Sequence, residues 1–350
     1  MDFKKKNFRN LSDQEISDFL KEISQPAFRL KQIKEWIWKK GVSDFNEMNN
    51  LPAALKEALD QNFFQDKITI LNSQKSKADK TIKVLFKSVD DEFFEGVLIP
   101  GKSRTTACIS TQAGCPLNCD FCATGKLGFR RNLTRGEIYD QAFLLNEASL
   151  TEFGRKLSNI VVMGMGEPFL NYENTIDALK IVCSGDGLAM SPQRITISTA
   201  GIIPGIKMLA DENLRVNLSI SLHSADNQKR DSLMPINKKY NLQQLREAIS
   251  YYYKKTGERI TYEYLLLKGV NDSLDDAKKL TEFTKVSPCK INLIMYNSHE
   301  KSKYQQSDDE DLKAFVEFLE SKNLVVTVRR SKGTDIDAAC GQLANKKKTD

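Results

Sequence analysis

Apolar residues recur along this chain at two different spacings. Near the N-terminus the spacing is helical: Ser12-Asp13-Gln14-Glu15 forms a capping box, and Ile16, Phe19, Leu20 and Ile23 follow on one face. After Pro26 a second stripe runs through Phe28, Ile33, Trp36 and Ile37 until Gly41, and Pro52 opens a third with Leu51, Leu55 and Leu59. From about 67 to 100 the period falls to two. Ile68 to Leu71, Thr81 to Phe86 and Phe93 to Ile99 predict three strands, the last two joined through Asp90-Asp91, and Pro100-Gly101 marks a boundary. Beyond 102, β-branched segments near 105–112, 158–164, 194–199, 215–222, 260–267 and 290–296 alternate with amphipathic helical stretches. Six strand-helix units predict an α/β fold, with parallel strands under helices in an open sheet or a partial (β/α)6 barrel. The expected divisions are a helical module at 1–66, a β extension at 67–101, the α/β unit at 102–343 and a polar tail at 344–350.

The strand faces say more than the strand count. A parallel strand covered on both sides reads as a continuous apolar run. Here Val216, Leu218, Ile220 and Leu222 alternate with Asn217, Ser219, Ser221 and His223, and Thr196 and Ser198 alternate with Ile195 and Ile197. Cys108, Ser110 and Gln112 alternate with Ala107 and Ile109 in the same way. Helices cover the apolar face, so the polar face is expected to line a wet, ligand-holding cavity inside the barrel.

Composition changes this picture little. The 350 residues are 40% hydrophobic and 28% charged, in the range of soluble globular proteins, and a formal net charge of +6 is mild. No apolar run approaches a membrane span, and the start, Met-Asp-Phe-Lys-Lys-Lys-Asn, lacks an apolar signal segment, so no membrane partner and a cytoplasmic location are expected. Lys4 to Lys6, Arg130-Arg131, Arg329-Arg330 and Lys346 to Lys348 are basic clusters that can meet a phosphate backbone, although any one of them alone reads as a solvated face. Nothing suggests more than a monomer.

The cysteines carry the chemistry. Four of the seven fall between 108 and 122, and Cys115, Cys119 and Cys122 make a C-x3-C-x2-C run on a loop with Gly114 and Pro116. A closed zinc site takes four ligands, whereas a four-iron cluster held by three cysteines keeps one iron open to a substrate. From the residues alone, a zinc knuckle completed by Cys108 or a distant cysteine stays open, and with it a non-catalytic RNA-binding protein. Cys183 and Cys289 lie in or beside apolar segments and are expected to be core.

The cysteine run, with Phe121 before its last member, resembles the cluster loop of radical S-adenosylmethionine enzymes. The longer strings Cys108 to Cys119, Met163-Gly164-Met165-Gly166-Glu167-Pro168 and Asp335 to Leu343 resemble the bacterial dual-specificity 23S rRNA and tRNA adenine-C2 methyltransferases. The likeness extends from the N-terminal module, which is similar to the RNA-contacting accessory domain of that family, to Leu343. It implies a radical S-adenosylmethionine partial barrel in which Cys115, Cys119 and Cys122 ligate a [4Fe-4S] cluster. Gly166, Glu167, Ser198, Ser221, Leu222, His223 and Asn297 match cofactor-contacting positions, and two S-adenosylmethionine molecules are used per turnover. The implied partners are 23S rRNA, tRNA and an electron donor such as a flavodoxin-type reductase system.

The same resemblance implies roles for the remaining residues. Carbon 2 of adenine is not nucleophilic, so methylation there needs a radical route. Cys340 would take a methyl group, lose a hydrogen from it to a radical and bond to the adenine through the resulting carbon. Cys108 would resolve the protein-RNA thioether by forming a transient disulfide with Cys340, while Glu95 accepts the C2 proton. A carboxylate inside the apolar strand at 93–100 is costly unless used or paired, and a nearby Lys would be the ordinary partner. Gly333, Gly341 and the polar stretch from Ser331 to Asp337 suggest that Cys340 sits on a mobile loop. A close alternative is the related adenine-C8 methyltransferase of the antibiotic-resistance type; Pro168 after Glu167, followed by Phe-Leu-Asn-Tyr, favours the C2 branch. A radical activase acting on a protein glycine would leave Cys108 and Cys340 without a purpose.

Overall fold

The computed structural model describes residues 5–298 and 302–345. The first basic cluster is therefore seen only from Lys5, and Lys346 to Lys348 lie with the end of the polar tail outside the described residues.

The N-terminal module is helical as its periodicity predicts. Short strands β1 (Lys6–Asn7) and β2 (Phe63–Phe64) pair in parallel around α1 (Asp13–Glu22), α2 (Arg29–Lys34) and α3 (Ala53–Asn62). The capping box forms: the Ser12 hydroxyl accepts from the Glu15 amide, and the Glu15 carboxylate accepts from the Ser12 amide at 2.8 Å. The second stripe is not one regular helix. At Glu35–Lys39 it widens into a π turn, which carries Ile37 and Trp38 inward and leaves Phe28, before the helix, in solvent.

From β3 (Thr69–Lys75), β4 (Ile82–Lys87), β5 (Phe93–Pro100) and β6 (Thr105–Cys108) the chain enters the main sheet. A hairpin of β7 (Gln112–Gly114) and β8 (Phe129–Asn132) follows, then α4 (Arg135–Phe153), β9 (Asn159–Val162), α5 (Tyr172–Cys183), β10 (Ile195–Thr199) and α6 (Ile203–Asp211). The last part holds β11 (Asn217–Ser221), α7 (Asn227–Leu233), α8 (Leu242–Thr256), β12 (Ile260–Leu266), α9 (Leu274–Thr284), β13 (Cys289–Met295), α10 (Asp309–Ser321) and β14 (Val325–Arg329). The sheet order is β14-β13-β12-β11-β10-β9-β6-β5-β4-β3, parallel from β14 to β6 and antiparallel from β6 to β3. This is the α/β partial barrel the alternation predicts, with three departures.

The strand expected at 105–112 is broken. After Cys108 the chain leaves the ladder because Ser110 satisfies itself elsewhere: its hydroxyl donates to the Glu95 carbonyl at 2.6 Å and its amide donates to the Gln141 side chain at 2.8 Å. The β extension is not a separate layer, since β5 pairs with β6 and continues the sheet across the Pro100-Gly101 turn. A seventh parallel strand, β14, stands beside β13. The strand-face reading holds: Val216, Leu218, Ile220 and Leu222 are fully buried toward the helices, each contributing roughly 1.5–3 kcal/mol.

The N-terminal module is fastened to this sheet's helical cover by one buried ion pair. Both guanidinium ends of Arg9 reach Asp140 on α4 at 2.5 Å, Arg9 also stacks on Trp38, and the Tyr139 hydroxyl donates to the Trp38 carbonyl. Trp38 thus packs between the module and α4.

Candidate active site

The C-terminal ends of the parallel strands surround a cavity of about 390 Å³, a size suited to a nucleoside-like ligand. Its walls include Cys115, Cys119 and Cys122 from the loop between β7 and β8, Cys108 from the end of β6, and Cys340 from the C-terminal segment. All are free thiols. Residues far apart in sequence therefore share one pocket.

The cluster loop is shaped by its hairpin. The Cys115 amide donates to the Gly128 carbonyl at 3.0 Å, and the Cys122 amide to the Cys119 carbonyl at 3.2 Å. Gly114 has φ +78, and a Cβ there would stand 1.9 Å from the Gly128 carbonyl oxygen, so no other residue fits this turn. Burial raises the Cys115 thiol to about 12 and raises Cys119 strongly, with Cys122 adding to both by repulsion. Arg230, wholly buried behind the strand ends, opposes this at Cys119.

Opposite the loop lies Glu167, buried with its carboxylate accepting from Thr199 Oγ1 at 2.7 Å and the Ala200 amide at 2.8 Å. Burial outweighs those bonds and pushes its carboxyl up to about 7. Gly166 precedes it at φ +99, where a Cβ would stand 2.6 Å from Gln112. Ser198 and Ser221 face each other with their hydroxyls 3.1 Å apart. His223 takes a left-handed conformation, φ 55. Its Nδ1 accepts from the Leu265 amide at 3.0 Å, and burial beside Arg230 lowers its pKa to about 3, so the ring is neutral with the proton on Nε2.

Two cofactor positions implied by the resemblance do not line the cavity with their side chains. Leu222 keeps the alternation of β11 and is buried on the helix side, so only its backbone is available; its carbonyl accepts from Arg230 Nε at 3.1 Å. The Asn297 amide donates to Ser331 Oγ at 2.6 Å and to the Met295 carbonyl at 3.3 Å, so it supports Ser331 on the cavity wall without lining the cavity itself. Glu95, 1% exposed, is also outside the lining. It is not alone in its strand: Lys83 stands 3.5 Å away, and its Oε2 accepts from the amides of Ala344 at 2.8 Å and Asn345 at 3.2 Å.

The C-terminal segment is tied down at many points rather than loose. Gly333 N donates to Asp79 at 2.8 Å, Lys77 N to Asp335 at 3.1 Å, Ala123 N to the Gly341 carbonyl at 2.7 Å and Thr124 Oγ1 to the Leu343 carbonyl at 2.7 Å. Solvent reaches Cys340 through the cavity, yet the crowd of protein atoms raises its thiol pKa, and Arg329 pulls it down. Cys108 is pushed up to about 12 by burial and by Cys340.

Sequence reasoning missed Glu263, Arg329 and Arg230. Glu263 lines the cavity and collects Asn292 Nδ2 at 2.9 Å, Ser219 Oγ at 3.1 Å and Arg329 Nη1 at 3.2 Å. A charge inside Ile260–Leu266 is the same signal that singled out Glu95. Arg329, expected as part of a phosphate-facing cluster, is instead a cavity cation paired with Glu263 because β14 ends there. Cys183 and Cys289 are partly buried against the core.

Two family models match: one described as the radical SAM superfamily over residues 109–281, the other as the ribosomal RNA large subunit methyltransferase N-terminal domain over residues 6–64. A probable dual-specificity RNA methyltransferase RlmN of Flavobacterium psychrophilum is 45% identical over 346 residues, covering 99% of each chain. The corresponding protein of Salinibacter ruber is 46% identical, covering 94% of this chain and 91% of its own. The chain belongs to the RlmN family of radical SAM RNA methyltransferases. A crystal structure of a radical SAM methyltransferase from Sphaerobacter thermophilus superposes with a TM-score of 0.90 at 38% identity, covering 97% of this chain and 99% of that one.

RlmN membership implies a four-iron cluster and S-adenosylmethionine, and the residues fit both. The three soft thiols line the same cavity, and three thiolates with no fourth protein ligand are a donor set that leaves one iron of a four-iron cluster open. Gly125 backs their loop closely, for a Cβ there would lie 3.2 Å from the Cys119 backbone. Glu167 suits an ammonium, and the serine hydroxyls suit a ribose or carboxylate.

Proposed function

We propose that this RlmN-family chain methylates carbon 2 of an adenosine in 23S rRNA and in tRNA, the latter at an anticodon-loop purine. The observation that carries the reading is the convergence of Cys108 and Cys340 on the cavity that holds the three cluster cysteines. When bound, the cluster and S-adenosylmethionine supply the methyl group and the radical that activates it.

The chain's own residues then do the following. Cys115, Cys119 and Cys122 hold the irons; Glu167 orients the cofactor's ammonium; Ser198, Ser221 and the Nε2 proton of His223 address its polar edge. Cys340 gives up its proton and takes the methyl group, with Arg329 as the cation that favours its thiolate. The activated carbon bonds to adenine, leaving a thioether between Cys340 and the RNA, and the bound cluster would serve as the acceptor for the adduct's one unpaired electron. Cys108 attacks the Cys340 sulfur: an S–S bond forms, the S–C bond breaks, and the carbon keeps the electron pair and gains a proton. Glu95 accepts the C2 proton, which requires residues 343–345 to withdraw from it. An electron donor such as a flavodoxin-type reductase system returns the disulfide to thiols. No helix among the described residues is long and apolar enough to cross a membrane, and we read the enzyme as a cytoplasmic monomer. The target must leave its stack to enter the cavity.

The test is anaerobic incubation of cluster-reconstituted protein with S-adenosylmethionine, reductant and candidate RNAs, followed by nucleoside mass spectrometry and NMR. 2-Methyladenosine is expected; 8-methyladenosine would overturn the assignment of the carbon, and unmodified RNA the activity.

A further inference from the structure

Outside the cavity, exposed apolar side chains gather around the β7–β8 hairpin that carries the cluster loop. Phe129, on β8, is 46% exposed, and Leu127, Val89 and Leu170 are exposed with it. Two contacts bring the last two to the hairpin. Arg131 donates to Asp90, beside Val89, at 2.5 and 2.6 Å, and Asn132 Nδ2 donates to the Leu170 carbonyl at 3.4 Å. No described element covers this patch, and four large apolar side chains gathered in water mark a contact surface more often than a chance arrangement.

The charges on the same rim are unevenly committed. Arg131 is taken by Asp90 and Glu137, and Lys126 by Asp120. Arg130 is exposed and meets no carboxylate among the described residues. On another wall Arg329 is taken by Glu263, while Arg330, next in sequence and lining the cavity, is exposed and equally without a described partner. Each of these two arginine pairs thus holds one fixed and one unspent member, and both unspent ones border the cavity or the loop that walls it. A protein partner would be served by a continuous apolar area. An open phenyl ring beside one unpaired guanidinium, with a second on the neighbouring cavity wall, is what a nucleic-acid strand uses: a face for a base and charge for its phosphates.

We propose that the RNA flanking the target adenine lies across this rim, with a neighbouring base stacked on Phe129 and phosphates on Arg130 and Arg330. The proposal rests on the RNA-methyltransferase reading above and adds the surface that delivers the substrate. Val89, Leu127 and Leu170 form the apolar border that keeps the unstacked base from water.

The experiment measures binding of an RNA hairpin with an unpaired loop adenosine, by fluorescence anisotropy over a salt series, together with its methylation by the holoenzyme. Phe129→Ala should weaken binding roughly 5- to 100-fold, as loss of one base stack does, and Phe129→Trp should restore it. Arg130→Gln should lower the slope of log affinity against log salt by about one, as loss of one phosphate contact does. Iron content and the thermal midpoint report that each variant is folded. Unchanged affinity and salt slope in folded variants, with wild-type enzyme methylating the RNA, would overturn the rim and leave the function standing. Weakened binding with no methylation by wild type would support the rim and overturn the function, and a wild type that binds no RNA would overturn both.

Discussion

The cluster loop and the Cys340 segment face each other across one cavity and are held by opposite means. Cys115, Cys119 and Cys122 are placed by a hairpin a few residues away, through Gly114, Gly128 and the bond from Cys122 to Cys119. Cys340 is placed by contacts to residues at 79, 95, 123 and 124, which the chain reaches only after folding. A ligand set benefits from local rigidity, because three thiolates must keep one spacing. In the proposed mechanism Cys340 carries a methyl group to the RNA, bonds to it and then meets Cys108, and such a thiol benefits from bonds that can be broken singly. The contacts on the segment are individual hydrogen bonds, two of them to Glu95, each worth about 0.5–1.5 kcal/mol net, or about 1.5–3 where a charged group accepts.

Removing one thiol from each side should break the comparison most sharply. Cys119→Ala should lose iron and all RNA methylation, whereas Cys340→Ala should keep its iron and fail only to acquire the methyl group. Cys108→Ala should keep iron and accumulate a covalent RNA adduct. Iron analysis, intact-mass measurement and denaturing gels separate the three, and loss of iron in Cys340→Ala would show that the two sides are not independent.

Acid should act on the cluster side first. His223 packs its ring against Phe121 with centroids 4.9 Å apart, and its folded pKa of about 3 lies below the ordinary 6.5. The unfolded chain therefore binds this proton more readily, and the stability His223 contributes is complete above pH 6.5 and is lost as pH falls towards 3. In cluster-free protein this amounts to on the order of 5 kcal/mol. His223→Asn keeps an acceptor for the Leu265 amide and should flatten this part of the pH–stability curve in denaturant titrations. An unchanged curve would mean that His223 is not the group responsible.

Glu95 tests the other side. Glu95→Gln replaces a charged acceptor for the Ala344 and Asn345 amides with a neutral one, a loss of about 1–2 kcal/mol. Hydrogen exchange over 338–345 should speed up roughly 5- to 30-fold, with exchange in the cluster loop unchanged.

What could be read in advance divides along the same line. The alternation of β11 and the helical module are local patterns that the structure reproduces because burial of one face decides them, and the local C-x3-C-x2-C run places its three cysteines on one cavity. Lys83 beside Glu95 was expected as a type of partner, but the two amides from residues 344 and 345 were not, since no local pattern links them. The side chains of Leu222 and Asn297 matched family positions yet do not line the cavity: strand alternation sends the first to the helices, and the second stands behind Ser331 on the wall. Glu263 carried a visible signal, a carboxylate in an apolar strand. Arg329 did not, because its meaning depends on β14 lying beside β13.

The finest test concerns the bond that joins the two sides directly. Thr124 closes the cluster loop, and its buried hydroxyl donates to the Leu343 carbonyl at 2.7 Å. Thr124→Val keeps the shape and removes the donor, leaving that carbonyl unsatisfied at a cost of about 1 kcal/mol. If the Cys340 segment is held by separable bonds, its exchange should rise about fivefold while iron content and the cluster's optical spectrum stay as in wild type. If the cluster loop leans on the segment for its own shape, the spectrum should shift with the exchange rate. Because the substitution changes one hydrogen bond and almost no volume, a spectral shift would have to come through the loop backbone. The rigid side of the cavity would then owe part of its rigidity to the movable one.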